Sequence, residues 1–284
     1  MRRYLTRSFK PLKDPQDVKT CEQHQDAEVA FMGIPWDGAV AGRPGSRFAP
    51  QKIRAAFCNT PFRTAVEDVG DVDVVVGDAD ETWRRIEEAS RELSRYRQIL
   101  VAGGDHSVTP YVYKGLAEGD VGYIVLDAHL DLRTTSEGLT SGISTRLIRE
   151  FRQNAAITVI GVRKWSNPSY MFKLADKLGV TYVTIEELQQ KGVDEIAEMV
   201  VERHENTRVY ISVDLDVVDP AYAPGVNAPS PGGMTSREVL TLVEKLSQKL
   251  KPIVVDVVEV SPPYDINDVT SQLAATILYV AIWR

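Results

Sequence analysis

Eight short apolar runs, rich in β-branched residues, recur along this chain of 284 residues. They lie at residues 29–34, 72–76, 99–102, 121–126, 157–160, 180–184, 209–213 and 253–258. Runs that are apolar throughout, rather than alternating with polar residues, are expected when helices cover both faces of a sheet. The sequence therefore predicts an α/β fold, a three-layer sandwich whose central sheet is mostly parallel and has about eight strands.

Amphipathic segments separate these runs. Residues 82–97 and 236–250 carry apolar side chains at helical spacing, and Thr235 with Glu238 matches a capping box before the second segment. A chain of this length fits one large α/β domain. Because no internal repeat, low-complexity tract or convincing linker interrupts it, a single domain over residues 1–284 is predicted.

The composition excludes several classes of protein. A formal net charge of -7, without any long Lys/Arg run, argues against a nucleic-acid or anionic-membrane partner. Residues 1–20 lack the apolar core of an export signal, and nowhere do 18 apolar residues run together. The two cysteines, Cys21 and Cys58, indicate neither a disulfide framework nor a thiolate metal site, so a cytoplasmic protein is expected.

Metal-capable side chains follow three of the predicted strands, those at 99–102, 121–126 and 209–213. In chain order these side chains are His106, Asp127, His129, Asp131, Asp214 and Asp216. Ligands of open α/β sheets gather at the carboxyl ends of the strands, because the loops that leave this edge form the crevice. The six side chains are therefore expected to meet in one site.

The types of these side chains select the ion and the number of ions. Four carboxylates and two imidazoles without a thiolate suit Mn²⁺, Mg²⁺, Co²⁺ or Fe²⁺ and disfavour a structural zinc site. Six ligands exceed what one ion usually needs, and two divalent ions would neutralise the four carboxylates. Two ions about 3.5–4 Å apart can activate a water for attack on a carbon or phosphorus electrophile, so the pattern predicts a binuclear hydrolase.

Three motifs resemble those of the ureohydrolase family of arginases, agmatinases and formimidoylglutamases. They are Gly103-Gly104-Asp105-His106-Ser107, Asp127-Ala128-His129-Leu130-Asp131 and Ser212-Val213-Asp214-Leu215-Asp216-Val217-Val218-Asp219-Pro220, and the loops at 33–35, 42–45 and 219–233 are similar too. The resemblance covers nearly the whole chain and implies an arginase-like fold with two Mn²⁺ ions on the same six side chains. It further implies a hydroxide bridging the ions as nucleophile, Asp131 as a catalytic residue as well as a ligand, and a homo-oligomer, a trimer or hexamer.

Glu259 follows the last predicted strand, in a segment at 257–262 that is similar to the family segment whose glutamate faces the substrate amidinium. A carboxylate at the floor of a pocket would pair with a planar amidinium through bidentate hydrogen bonds. Glu259 is therefore predicted to bind substrate and to take part in catalysis. An exposed glutamate at a strand end is the alternative.

One position departs from the pattern of arginases and agmatinases. Those enzymes carry a His-Gly after the second motif, whose histidine is thought to shuttle protons, whereas the matching place here reads Thr140-Ser141-Gly142. The two remaining histidines, His24 and His204, are expected at the surface. With Leu132-Arg133, this segment is more similar to the formimidoylglutamase branch, whose substrate is an amidine attached to glutamate.

A glutamate tail carries two carboxylates and needs cationic partners. Arg133, two residues after Asp131, is the first candidate, and Arg163, after the strand at 157–160, is a second. Ser141 is assigned to the same substrate pocket. For either arginine, a solvated or structural side chain is the alternative.

These features predict hydrolysis of the C–N bond of N-formimidoyl-L-glutamate to L-glutamate and formamide. An agmatinase or another guanidino-compound hydrolase that releases urea is the alternative. A metal-binding paralogue without turnover is a third possibility. A two-metal phosphohydrolase is a fourth, although the sequence has no evident arginine cluster or glycine-rich cradle for phosphate.

Overall fold

The apolar runs form one sheet. The computed structural model describes residues 5–6, 27–60, 64–116, 119–134 and 140–283. Within them the strands are β1 (Leu5–Thr6), β2 (Val29–Gly33), β3 (Val66–Val72), β4 (Gln98–Ala102), β5 (Val121–Leu126), β6 (Ile157–Val162), β7 (Val180–Thr184), β8 (Arg208–Asp214) and β9 (Val254–Val258). The α-helices are α1 (Ala49–Phe57), α2 (Ala79–Glu92), α3 (Thr109–Leu116), α4 (Ser144–Phe151), α5 (Ser169–Leu178), α6 (Ile185–His204), α7 (Ser236–Leu250) and α8 (Val269–Val280).

The order of strands across the sheet is β1-β3-β2-β4-β9-β8-β5-β6-β7. β1 pairs antiparallel with β3, and the other eight strands are parallel to their neighbours. The predicted α/β class, with a mostly parallel sheet of about eight strands, is confirmed. All eight parallel strands therefore end at the same edge of the sheet.

Helices cover both faces of this sheet. α1, α6, α7 and α8 pack against one face, in a core that includes Ile53, Val200, Leu242 and Ile277. α2, α3, α4 and α5 pack against the other, in a core that includes Ile86. Because both faces are buried, the central strands have no solvent side and show no polar alternation.

β3 lies at residues 66–72, so the strand predicted at 72–76 was wrong. Val76, at the end of the predicted range, is 80% exposed. β3 was missed because it contains Asp68 and Asp71, which break its apolar pattern. Both carboxylates pair with Arg54 of α1, at 2.9 Å and 2.5 Å. Acidic residues are tolerated in a strand when a buried arginine neutralises them.

Helix boundaries follow their capping residues. The helix predicted at 82–97 is α2, which begins and ends earlier, at Ala79 and Glu92. It starts at Ala79 because the side chain of Asp78 accepts from the N–H of Glu81 at 2.9 Å. α7 matches its predicted bounds, and the capping box of Thr235 and Glu238 is present.

The prediction that His204 lies at the surface was wrong, because its side chain is fully buried. Its Nε2 lies 2.9 Å from Oγ1 of Thr158, and its ring fills the space beside Gly122, where a Cβ would lie 2.5 Å from Nδ1. Burial, with a smaller effect of Arg203, lowers the pKa of His204 to about 4. The last residue of α6 therefore places a neutral imidazole against β5 and β6.

Cys58, just after α1, is disulfide-bonded, which the sequence did not indicate. Cys21, His24 and almost all of residues 1–20 lie outside the described residues. In the part of the chain that the structure describes, no helix combines the length and apolar character needed to cross a bilayer.

Candidate metal centre

The carboxyl ends of four adjacent strands lie level at the centre of the sheet. The register pairs Ala102 of β4 and Val213 of β8 with Val257 of β9, and Leu126 of β5 with Val213. The loops that follow β4, β5 and β8 carry five of the six predicted ligands, and the sixth, Asp214, is the last residue of β8. The structure therefore brings the six side chains to one place, as the sequence predicted.

The turn after β4 requires glycine because two backbone segments touch there. A Cβ on Gly104 would lie 1.6 Å from the carbonyl oxygen of Trp36, and the N–H of Asp105 donates to that oxygen at 2.8 Å. Asp105 then accepts from the N–H of Ser107 at 3.0 Å. This close packing aims the side chain of His106 into the site.

In two pairs of ligands, Asp127 with His129 and Asp214 with Asp216, one residue separates the members, and this spacing has a local cause. Oδ1 of Asp127 accepts from the N–H of His129 at 2.7 Å, and Oδ1 of Asp214 accepts from the N–H of Asp216 at 2.9 Å. A short carboxylate side chain that bonds the amide two residues later closes an Asx turn. Each turn brings its two ligand side chains to the same side of the loop.

His106 lies at the centre of the first cluster. Its Nδ1 lies 3.3 Å from Oδ2 of Asp127, 3.1 Å from Oδ2 of Asp131 and 3.2 Å from Oδ2 of Asp214. All four side chains are buried. An imidazole nitrogen and three carboxylate oxygens thus face one point.

His129 lies at the centre of the second cluster. Its Nδ1 lies 2.9 Å from Oδ2 of Asp216 and 3.5 Å from Oδ1 of Asp127. Asp127 belongs to both clusters, with one oxygen towards each histidine. The side chain of His129 is 27% exposed, compared with 1% for His106, so the second cluster faces the solvent side of the site.

Asp131 adopts a left-handed backbone conformation, with a φ of 49°. A non-glycine residue in this region costs about 1 kcal/mol or more and needs support from its surroundings. Ser144 provides it, since Oγ of Ser144 lies 3.1 Å from Oδ2 of Asp131 and 3.1 Å from the carbonyl oxygen of His106. No pattern in the sequence indicates this role of Ser144.

The electrostatics of the clusters favour cations. Burial raises the pKa of Asp214 well above its usual range, and the charges of Asp216 and Asp127 raise it further. Burial alone would lower the pKa of His106, but Tyr123 and the surrounding carboxylates raise it well above its usual value. Carboxylates packed this closely repel one another unless positive charge lies between them.

The residues fit two divalent ions. His106, Asp127 and Asp214 offer ligand atoms that lie within 4.8 Å of one another, and Asp127, His129 and Asp216 do the same. Nδ1 of His106 and Oδ2 of Asp127 are buried, and neither has a hydrogen-bond partner among the described residues. Oxygen and nitrogen donors without thiolate match the preference of hard or borderline ions such as Mn²⁺ or Mg²⁺.

Glu259 lies against the first cluster and is 4% exposed, so it is not an exposed strand-end side chain. Its Oε1 accepts from the N–H of His106 at 2.6 Å, and its Oε2 accepts from the amide of Asn227. Burial, followed by the charge of Asp105, raises the pKa of Glu259 to about 8. A cation beside Glu259 would favour the ionised form, in which each carboxylate oxygen keeps a lone pair that a substrate could use.

Arg133 and Ser141 lie at the rim of the site. Arg133 is exposed, and its N–H donates to the carbonyl oxygen of Gly142 at 3.1 Å. Ser141 is 7% exposed, and its Oγ accepts from the N–H of Ala41 at 3.1 Å, which joins two loops. Residues 135–139 of the intervening loop lie outside the described residues.

Arg163 does not reach the rim. It is fully buried, and its guanidinium donates to the carbonyl oxygens of Gly161 at 3.2 Å and Val217 at 2.5 Å. Arg163 is therefore a structural side chain that binds backbone carbonyl oxygens, and its assignment as a substrate-binding residue was wrong. An arginine that follows a strand can fold back under the loop, and the sequence does not show which way it turns.

Two asparagines at the site were missed. Asn227 bonds Glu259 and donates to Oγ of Ser46 at 3.0 Å, which fixes the carboxylate. Asn167 holds the loop of His129, since it accepts from the N–H of Leu130 and donates to the carbonyl oxygen of Ala128, both at 2.9 Å. The position of Asn227 in the Gly/Pro-rich loop at 219–233 was the only signal for it.

Comparisons with known proteins agree with this geometry. The family model described as "Arginase family" matches residues 27–283. The proclavaminate amidinohydrolase of Streptomyces clavuligerus is 35% identical, covering 90% of this chain and 87% of the relative. The human mitochondrial guanidino acid hydrolase is 32% identical, covering 92% of this chain and 82% of the relative.

A solved structure is also similar over almost the whole chain. The crystal structure of formimidoylglutamase from Bacillus subtilis superimposes with a TM-score of 0.86 at 29% identity, covering 98% of this chain and 94% of that one. Relatives with different names therefore match this chain to a similar degree.

Proposed function

Because this chain belongs to the arginase family of hydrolases, we propose that it cleaves a C–N bond of a linear amidine with two Mn²⁺ ions, and that its substrate is N-formimidoyl-L-glutamate. Water would add to the amidine carbon as the bond from that carbon to the glutamate nitrogen breaks. The products would be formamide and L-glutamate. The observation that carries the proposal is the pair of ligand clusters that share Asp127, one buried and the other open towards solvent at His129.

The six side chains would divide between the two ions. His106, Asp127 and Asp214, with Asp131 beside them, would hold one, and Asp127, His129 and Asp216 would hold the other. When bound, a pair of divalent ions supplies an activated water and polarises the electrophile. The protein's own contribution is a fixed geometry, because the Asx turns hold the ligands before any ion binds.

Glu259 would bind the amidinium. Its carboxylate is held in place by the N–H of His106 and the amide of Asn227, so it need not reorganise when a substrate binds. A planar cation would take the remaining lone pairs in bidentate hydrogen bonds. This contact would keep the amidine carbon beside the two clusters. Asp131, which faces His106 at 3.1 Å, would border the same space.

Arg133 would bind the carboxylate tail. Its guanidinium is exposed at the rim, and its side chain lies over Gly142, where a Cβ would be 3.0 Å from Cδ of Arg133. Arginine recognises carboxylates through two parallel hydrogen bonds. A second cation on the substrate, as in agmatine, would be repelled here. Ser141 would border the same pocket.

A guanidino acid hydrolase that releases urea is the second candidate. The exposed Arg133 would suit the carboxylate of a guanidino acid as well as that of glutamate, and one relative at 32% identity carries this name. Agmatine fits less well, because it lacks a carboxylate. A paralogue without turnover has no physical need for two converging ligand clusters.

A panel of substrates with Mn²⁺ tests the proposal. The purified protein should release formamide from N-formimidoyl-L-glutamate, and the Asp127→Asn variant should not. Release of urea from a guanidino acid, without formamide from the first substrate, would favour the second candidate. Urea from agmatine alone would contradict both, and no turnover of any amidine by the manganese-loaded protein would contradict the proposed activity itself.

A further inference from the structure

A buried carboxylate lies inside the strand β9, behind the candidate metal centre. Asp256 is 0% exposed and stands between the apolar residues Val255 and Val257. It accepts three hydroxyl hydrogen bonds, from Thr109 and Tyr210 at 2.6 Å and from Ser212 at 2.5 Å. Burying a carboxylate without a cation is costly, so its presence in a strand of the core requires an explanation.

Ser212 connects this carboxylate to a candidate metal ligand. Ser212 of β8 and Asp256 of β9 are register partners in the sheet. Oγ of Ser212 lies 3.2 Å from Nε2 of His106 and donates to Oδ1 of Asp256, and the Tyr123 hydroxyl lies 3.3 Å from the same Nε2. Because the Ser212 hydroxyl gives its proton to Asp256, its oxygen can accept from an Nε2–H of His106.

The other nitrogen of His106 faces the acidic cluster. Nδ1 lies 3.1–3.3 Å from carboxylate oxygens of Asp127, Asp131 and Asp214. A neutral imidazole carries its single proton on one nitrogen only, so a proton on Nε2 leaves the lone pair of Nδ1 for a cation. With Nε2–H donating to Ser212 and Ser212 donating to Asp256, Nδ1 would carry no proton, as a metal-ligating nitrogen requires.

We propose that Ser212 and Asp256 are positioning residues, which hold the proton of His106 on Nε2 and keep Nδ1 directed at the first ion. The inference rests on the proposed binuclear centre and adds a role for two residues behind it. Partners of this kind typically change metal affinity by about 10–100-fold. The effect should be confined to one ion, because among the described residues His129 pairs with Asp127 and Asp216 and not with Ser212 or Asp256.

Ser212→Ala removes the link and leaves Asp256 with two hydroxyl donors, so the fold should persist. Metal-free protein would be titrated with Mn²⁺ while the free ion is followed by electron paramagnetic resonance. We expect one ion to bind about 10–100-fold more weakly than in the wild type and the other to bind unchanged. Ser212→Thr, which keeps the hydroxyl, should restore the tighter binding.

Tyr113→Phe is the matched control. Tyr113 packs 6.0 Å from Tyr210 between ring centroids, and its buried hydroxyl donates to the carbonyl oxygen of Val121 at 2.6 Å rather than to Asp256. Removing this hydroxyl should lower the melting temperature without changing either Mn²⁺ affinity. Asp256→Asn, which keeps the shape but loses the charge, should weaken the same ion as Ser212→Ala does.

Failure of the inference differs from failure of the proposed function. If the wild type binds two ions and Ser212→Ala binds both as tightly, the inference is wrong and the metal centre stands. Equal weakening of both ions, or the same loss in Tyr113→Phe, would show general destabilisation and would also overturn the inference. If the wild type binds no divalent ion, the proposed metal centre itself is wrong.

Discussion

The N–H of His106 donates a hydrogen bond of 2.6 Å to Oε1 of Glu259. This hydrogen bond joins a candidate metal ligand to the carboxylate that would bind the amidinium. The two residues follow neighbouring strands, His106 after β4 and Glu259 directly after β9, and these strands pair in parallel register. The distance between the electrophile and the ions would therefore be set by the sheet rather than by a flexible loop.

Asp127→Asn should remove the centre, because Asp127 is the carboxylate that both clusters share. Without the ions the transition state would lose several kcal/mol of stabilisation, which corresponds to a fall in kcat/KM of about 1,000-fold or more. Metal analysis after dialysis should find fewer than two ions per chain. Asp176→Asn, at an exposed position of α5, is the control and should retain both ions and activity. A fully active Asp127→Asn protein would exclude this centre.

Glu259→Gln should weaken substrate binding without removing metal. The amide oxygen can still accept from the N–H of His106, but the negative charge that would face the amidinium is lost. A hydrogen bond to a charged group contributes about 1.5–3 kcal/mol, so kcat/KM should fall by about 10–150-fold. Steady-state kinetics and metal content should be measured on the same samples. An unchanged kcat/KM would show that Glu259 does not contact the substrate.

Arg133→Ala should raise KM for substrates with a carboxylate tail by about 10–100-fold and leave substrates without that group unaffected. Arg146→Ala is a nearby control, because the Arg146 guanidinium already pairs with Glu150 at 2.8 Å. Kinetics with N-formimidoyl-L-glutamate and with simple formamidines would separate the two effects. Equal losses for both substrates would indicate that Arg133 supports the loop rather than the tail.

His204 should make the protein less stable in acid. Its pKa is lowered from 6.5 to about 4 by burial and then by Arg203, so the unfolded chain binds a proton that the folded protein excludes. Stability should therefore fall as the pH decreases from 6.5 to 4, with at most about 3 kcal/mol from this residue. His204→Gln should flatten this part of the profile in urea unfolding. Identical profiles for the two proteins would contradict the assignment.

Local patterns predicted much of this protein. The run at 121–126 matches β5 because this strand is apolar throughout, and the run at 180–184 matches β7 because it is rich in β-branched residues. α7 matches because its capping box and periodicity agree. The ligands of the two clusters were predicted because metal-capable side chains follow three of the apolar runs. Each of these signals depends on residues close together in the chain.

Long-range contacts explain what was missed. β3 was misplaced because its acidic residues are paired by Arg54, which lies on another element. Arg163 and His204 were misjudged because burial of a polar side chain depends on the space beside it, which Gly122 provides for His204. Asp256 sits in an apolar run and gave no sign of its three hydroxyl partners, which come from α3 and β8.

The α/β class, the mostly parallel sheet and the set of side chains at its carboxyl edge follow from the sequence, because apolar runs and short motifs involve residues close together in the chain. Three relationships emerge only in the folded protein: Asp127 is shared by two clusters, Glu259 is held by His106 and Asn227, and Arg163 lies beneath the site. Those relationships depend on the register of neighbouring strands and on the packing of loops from distant parts of the chain. No local pattern encodes them.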